Sequence, residues 1–128
     1  MILDTSAILA IVFREPERDD FLRKIGSAGT VGVGAPTLVE TSIVLRARLG
    51  EQGRRWLDLL VERAELVVVP FEAAHAHLAM DAWLRFGRGR HPAALNLGDC
   101  LAYATARAAD RPLLCKSEDF KQTDLALA

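Results

Sequence analysis

Cysteine is scarce in this chain: Cys100 and Cys115 are the only two. Two thiols cannot build a disulfide scaffold, and their spacing is not that of a zinc site. They read as buried free thiols in a reducing compartment. Neither sign of charge dominates. Sixteen Lys and Arg against seventeen Asp and Glu leave a formal net charge of −1, so no global basic field advertises a nucleic-acid partner. Long hydrophobic runs are missing too. The longest clean one, Ala7 to Phe13, falls far short of the roughly 20 residues a membrane span needs. No basic stretch precedes it, since Met1 is followed at once by Ile-Leu-Asp, so a secretory signal is not expected. There is no repeat, no low-complexity tract and no Pro-, Gly- or Ser-rich linker. These absences lead to the expectation of a soluble cytoplasmic protein with no membrane association. What the chain does have is 128 residues that are 51% hydrophobic, enough for a buried core in one domain spanning 1–128.

The apolar pattern alternates between strand and helix. Met1-Ile2-Leu3 is a short strand that runs into Asp-Thr-Ser, a helix N-cap signal. Ala7 to Phe13 is apolar all round and reads as a buried helix. Pro16 opens a second helix, which Gly26 and Gly29 stop. Thr30-Val-Gly-Val is a β-type run, and Pro36 sits at the start of a helix that ends at Gly50. Trp56, Leu57, Leu60 and Val61 mark an amphipathic helix, and Leu66-Val-Val-Val-Pro a buried strand. A long helix through Ala74, Leu78, Ala82 and Phe86 follows, then an Ala-rich helix from Asp99 to Ala109. Pro112-Leu-Leu-Cys is the next strand, and Asp124 to Leu127 a short last one. This alternation predicts an α/β fold: a central, mostly parallel twisted sheet of about four to five strands with helices on both faces.

In such a fold the C-terminal ends of the strands and the N-termini of the following helices share one edge. Asp4 ends the first strand. Glu40 lies in the first turn of the helix after the second strand. Asp99 opens the helix before the fourth strand, and Asp119 lies just beyond that strand. Four carboxylates on one rim repel one another unless a cation neutralises them. Mg²⁺, with Mn²⁺ as a substitute, is the natural counter-ion for hard oxygen donors and supports attack of water on phosphorus. Each acid also has a plainer reading. Asp4 could serve only as a helix cap, and Thr37-Leu-Val-Glu40 fits a capping box. Asp99 is an acid favourably placed at a helix start, and Asp119 could be a turn residue. It is the four together that point to a metal site.

Met-Ile-Leu-Asp4-Thr5-Ser6-Ala7 resembles the opening of PIN-domain nucleases, and the likeness continues through the whole chain in order. It takes in Glu40-Thr-Ser, then Leu95-Asn96-Leu97-Gly98-Asp99-Cys100, Leu113-Leu-Cys-Lys-Ser-Glu-Asp119-Phe120, and Thr123-Asp124. The segment around Asn96 and Asp99 is the most specific part. Within that family the chain is similar to the VapC-type toxins of bacterial toxin–antitoxin pairs. The resemblance implies a Mg²⁺-dependent endoribonuclease that cleaves cellular RNA (tRNA, rRNA or mRNA). It also implies a homodimer neutralised by a small VapB-like antitoxin, with higher toxin–antitoxin assembly open. Carried over by position, Asp4, Glu40 and Asp99 become the core catalytic and metal-binding residues and Asp119 the fourth acid. Ser6 and Asn96 become supporting residues. Glu118, beside Asp119, is the alternative fourth acid. Ser117 stands where many relatives have Gly.

The locally basic loop carrying Arg85, Arg88, Arg90 and His91 is a candidate RNA contact, against the plainer reading of a solvated loop. His75 and His77 are two apart on a helix and face different ways, which makes them surface or interface residues. Trp56 and Trp83 read as packing residues. Two rival functions start from the same Asp4. A dehalogenase-like phosphatase needs a second Asp two residues on, where this chain has Ser6. A receiver-type signalling domain could use Lys116 but needs an acceptor Asp after the middle strand; Pro70-Phe71-Glu72 offers none. For a cognate antitoxin, the acidic rim suggests an inserted Arg. An amphipathic antitoxin helix is expected to lie between the N-terminal helices and the Pro36–Leu49 helix.

Overall fold

Successive side chains of a strand point to opposite faces, and the first strand, β1 (Ile2–Leu3), uses both. The computed structural model describes residues 1–128. In it, Ile2 enters one apolar cluster and Leu3 the other. β1 pairs with β2 (Gly32–Gly34) on one side and β4 (Leu113–Leu114) on the other. β3 (Val67–Val69) adds outside β2, and every pairing is parallel, in the order β3-β2-β1-β4. The alternation and the buried central strands thus produce the expected α/β sheet of four strands. Asp124–Leu127 does not form a fifth; it contributes a single parallel bridge, Leu113 to Leu127.

Helices cover both faces. The Leu3 side is packed by α1 (Thr5–Val12), α2 (Arg18–Ser27), α3 (Ala35–Leu49) and α4 (Glu51–Arg63). Ile8, Phe21, Val33, Leu45 and Leu57 fill that core. The Ile2 side is packed by α5 (Ala73–Phe86) and α6 (Leu97–Ala109), with Tyr103, Leu113 and Phe120 at its centre. The small residues of α6, Ala102, Ala104 and Ala106, are buried. Gly34 of β2 has no room for a side chain: a Cβ there would lie 2.7 Å from Thr105 Oγ1 of α6.

Several boundaries differ from the sequence expectation for local reasons. α2 starts at Arg18 rather than Pro16, because the Arg18 N–H first closes a turn onto the Glu15 carbonyl. α3 starts at Ala35, with Pro36 second, still inside the first turn where a missing N–H costs nothing. The Leu66–Val69 run is not a buried strand. It forms the sheet edge, with Val67 50% and Val68 45% exposed. Its valines satisfy strand propensity, but no further strand covers them. His75 is not on the surface: it is buried, and its Nδ1 accepts the Glu72 N–H at the start of α5.

α3 and α4 meet backbone to backbone at Gly53. A Cβ there would lie 2.4 Å from the Leu45 carbonyl oxygen and 2.6 Å from its carbon. Gly53→Ala is therefore expected to destabilise the fold by about 1–3 kcal/mol, although alanine is the better helix former. The check is a lowered midpoint in urea denaturation at unchanged slope.

Candidate active site

Asp4 follows β1 and caps α1. Its backbone N–H donates to the Leu114 carbonyl of β4 at 3.0 Å, which pins it to the sheet edge. The side chain is buried, 5% exposed. Its Oδ2 accepts from the Ser6 N–H at 3.0 Å and from the Ser6 hydroxyl. Ser6 Oγ in turn accepts the Lys116 backbone N–H at 2.9 Å, so Ser6 bridges the first acid to the segment after β4. Burial raises the Asp4 pKa, and the hydrogen bonds from Ser6 only partly oppose that.

Asp99 is the third residue of α6. A reciprocal capping box sets it: Asn96 Oδ1 accepts the Asp99 N–H at 2.9 Å, and Asp99 Oδ2 accepts the Asn96 N–H at 2.9 Å. One carboxylate oxygen is committed to the cap and the other is free. Burial, assisted by the negative charges of Asp4, Asp119 and Glu40, pushes the carboxyl up to about 6, against the pull of the Asn96 hydrogen bond. Asp99 thus lies within reach of the charge of the other three acids.

Glu40 is not in a capping box. It lies beyond the first turn of α3, whose N-cap is Gly34 with no side-chain cap. Its Oε2 instead accepts the Thr5 hydroxyl at 2.9 Å, and Thr41 Oγ1 stands 3.4 Å behind Thr5. Thr5 as the partner of Glu40 was not anticipated; its place between Asp4 and Ser6 was the only clue. Asp119 opens a 3₁₀ turn, Asp119–Gln122, and its N–H donates to Ser117 Oγ at 3.2 Å. Its charge reaches Asp99, whereas the neighbouring Glu118 is exposed and paired with Lys121 at 2.8 Å. None of the four rim acids takes part in an ion pair. Lys116, the only cation bonded into this edge, spends its ammonium on Glu15 at 2.7 Å and Glu17 at 3.2 Å.

The donor set is all oxygen, which suits a hard divalent cation. As the side chains stand, no three His, Cys, Asp or Glu groups form a ready metal cage. An open set still fits Mg²⁺, which uses one or two carboxylates and keeps its waters. The two cysteines are protonated bystanders. Burial pushes Cys100 up to about 11, helped by Asp99. Burial likewise takes Cys115 up to about 12, helped by Asp4, Asp99 and Glu118.

The basic loop is less uniform than its sequence. Arg85 belongs to α5, with its guanidinium held by Asp124 at 2.8 Å and Asp81 at 3.1 Å. His91 is folded inward, its Nδ1 accepting the Ala93 N–H and its ring edge-on to Phe86. Arg88 and Arg90 are exposed and form no ion pair. A separate apolar groove of about 420 Å³ runs between α1, α2 and α4, lined by Val12, Leu22, Ile25, Trp56, Leu59 and Leu60.

The PIN domain family model matches residues 1–125. Ribonuclease VapC of Mycolicibacterium smegmatis is 40% identical over 126 residues, 98% of each chain. The chain belongs to the PIN-domain family and, within it, to the VapC-type ribonucleases. Among solved structures, Mycobacterium tuberculosis VapC20, a sarcin–ricin loop cleaving toxin, superposes with a TM-score of 0.79 at 15% identity. That match covers 99% of this chain and 97% of VapC20. A chain of a toxin–antitoxin complex from Klebsiella pneumoniae gives 0.70 at 16% identity, covering 99% and 95%. At these identities the two structures speak for the fold alone.

The sign of the Asp99 perturbation gives a test free of any activity assay. A carboxyl lifted to about 6 in the folded chain, from about 3.9 unfolded, holds more protons folded than unfolded between those values. Its stabilising contribution is complete below pH 4 and is lost as pH rises toward 6. Metal-free Asp99→Asn should therefore gain on wild type as pH rises from 4 to 6, with the difference constant above. Urea denaturation in chelator across pH 4 to 8 reads this directly. Asp4→Asn should also remain folded; unfolding of both variants would make the acids structural caps and nothing more.

Proposed function

We propose that this chain is a Mg²⁺-dependent endoribonuclease toxin, with Mn²⁺ able to substitute, and that a small cognate antitoxin neutralises it. The observation that carries the reading is the set of Asp4, Glu40, Asp99 and Asp119, in which Asp99 feels the charge of the other three and none is paired with a Lys or Arg. The name of the M. smegmatis relative, a ribonuclease, supports RNA as the substrate. When bound, a divalent cation supplies Lewis acidity for phosphodiester hydrolysis. The chain's own part is geometric. Asp4, fixed through Ser6 and β4, and Asp99, fixed by Asn96, would hold the cation. Glu40, oriented by Thr5, and Asp119 would orient water and balance charge. Arg88 and Arg90 are the free cations of the basic loop and the better candidates for phosphate contacts; Arg85 and His91 are engaged within the fold.

The rival readings lack residues at the points where each needs one. Ser6 is Asp4's hydrogen-bond donor and not a second carboxylate. Glu72, the nearest acid after β3, caps α5, and Lys116 turns to Glu15 and Glu17.

For the antitoxin, the apolar groove between the N-terminal helices and α4 supports docking of an amphipathic helix there, beside the α3 site expected from the sequence. An antitoxin Arg reaching the rim would bridge two carboxylates. Large apolar side chains left more than half exposed, Val39 and Ile43 of α3, Met80 and Leu84 of α5 and Leu97 of α6, support the homodimer.

Purified, antitoxin-free protein is expected to cleave RNA with Mg²⁺ or Mn²⁺ and to stop in excess chelator; undiminished cleavage in chelator would sink the metal mechanism. With metal absent, the Asp4→Asn/Asp99→Asn double variant should bind its antitoxin more weakly than wild type. Equal affinity in that titration would mean the antitoxin covers the rim without entering it.

A further inference from the structure

Glu40 is held from two sides. Thr5 Oγ1 donates to its Oε2 at 2.9 Å. On another side stands Gly98, the second residue of α6. A Cβ on Gly98 would lie 2.7 Å from Oε2, 2.8 Å from Oε1 and 3.0 Å from the carboxyl carbon of Glu40. Both oxygens are that near, so exchanging one for the other gives no relief. The backbone does not demand glycine at this position, because Gly98 is not among the residues of positive φ. Glycine inside a helix is weaker than alanine, so here the absent side chain is the feature that matters. Gly26 of α2 makes the contrast: a Cβ there meets nothing within 4 Å.

We propose that Gly98 is a positioning residue for the acidic rim. Its bare Cα lets the first turn of α6 close onto the Glu40 carboxylate, which fixes Glu40 against Thr5 and sets its spacing from Asp99, the next residue of the same helix. The same turn thus carries one acid and places another. The inference rests on the reading of Glu40 as part of the working rim.

The test is a four-variant cycle at positions 98 and 40 in chelator, read as Tm, with Gly26→Ala as the control for alanine in a helix. In the wild-type background, Gly98→Ala should lower Tm. In the Glu40→Ala background the same substitution should raise it, as Gly26→Ala does, because the obstructing carboxylate is gone. Equal shifts in both backgrounds overturn the proposal, since the new methyl then meets something other than Glu40. Gly98→Ala should also raise the Mn²⁺ concentration for half-maximal thermal stabilisation about tenfold and slow RNA cleavage at saturating Mn²⁺ about a hundredfold, the cost of misplacement by roughly an ångström. If Glu40→Ala loses both responses while Gly98→Ala keeps both, the positioning role is wrong and the rim reading stands. If Glu40→Ala keeps both, Glu40 is idle and the two readings fall together. Should Gly98→Ala fail to fold, a folded Gly98→Ala/Glu40→Ala double variant supports the clash, and an unfolded one refutes it.

Discussion

The burial of uncompensated negative charge at one sheet edge is the constraint on which the rest depends. Asp4 is nearly sealed, with only neutral donors of the next two residues to satisfy it, and Asp99 is lifted to about 6 by burial and by its acidic neighbours. Such a rim destabilises the fold that carries it. The remainder of the chain must hold the carboxylates together against their repulsion, and it does so with backbone and neutral donors. Ser6, Thr5 and Asn96 each fix one acid without contributing a positive charge. No Lys or Arg side chain pairs with any of the four acids.

Elsewhere the protein pairs its charges normally. Asp124 accepts from the Tyr103 hydroxyl at 2.7 Å, from Arg85 at 2.8 Å and from Arg107 at 3.1 Å. Burial works to raise its carboxyl, but these partners hold it below the usual range. That cluster fastens the last segment to α5 and α6. The contrast is between Asp124, surrounded by donors and cations, and Asp99, which has acids for neighbours and no cation partner.

Much of this was legible in the sequence because it is local. A strand ending in Asp-Thr-Ser, and Asn three residues before Asp, are short-range signals whose geometry follows from capping alone. Parallel topology then carries the four acids to a shared edge. What was illegible depends on partners distant in sequence. Glu40 satisfied a capping-box pattern on paper but is bonded to Thr5, 35 residues away. The valines of β3 read as a buried strand, yet sheet order, which no local pattern encodes, leaves them at the edge. His75 looked superficial because its burial depends on the turn before α5. The basic loop looked uniform because Arg85's partner Asp124 lies 39 residues on.

The bonds that fix Asp4 have a temporal consequence. Its backbone N–H is tied to Leu114, and its partner Ser6 to Lys116, 110 residues later. During synthesis Asp4 emerges from the ribosome well before the strand that locks it in place. Contacts of such sequence separation form late in folding, after loop closure has been met. A partly made chain therefore carries the acid without the geometry that sets it, and the rim takes shape only when β4 has joined the sheet.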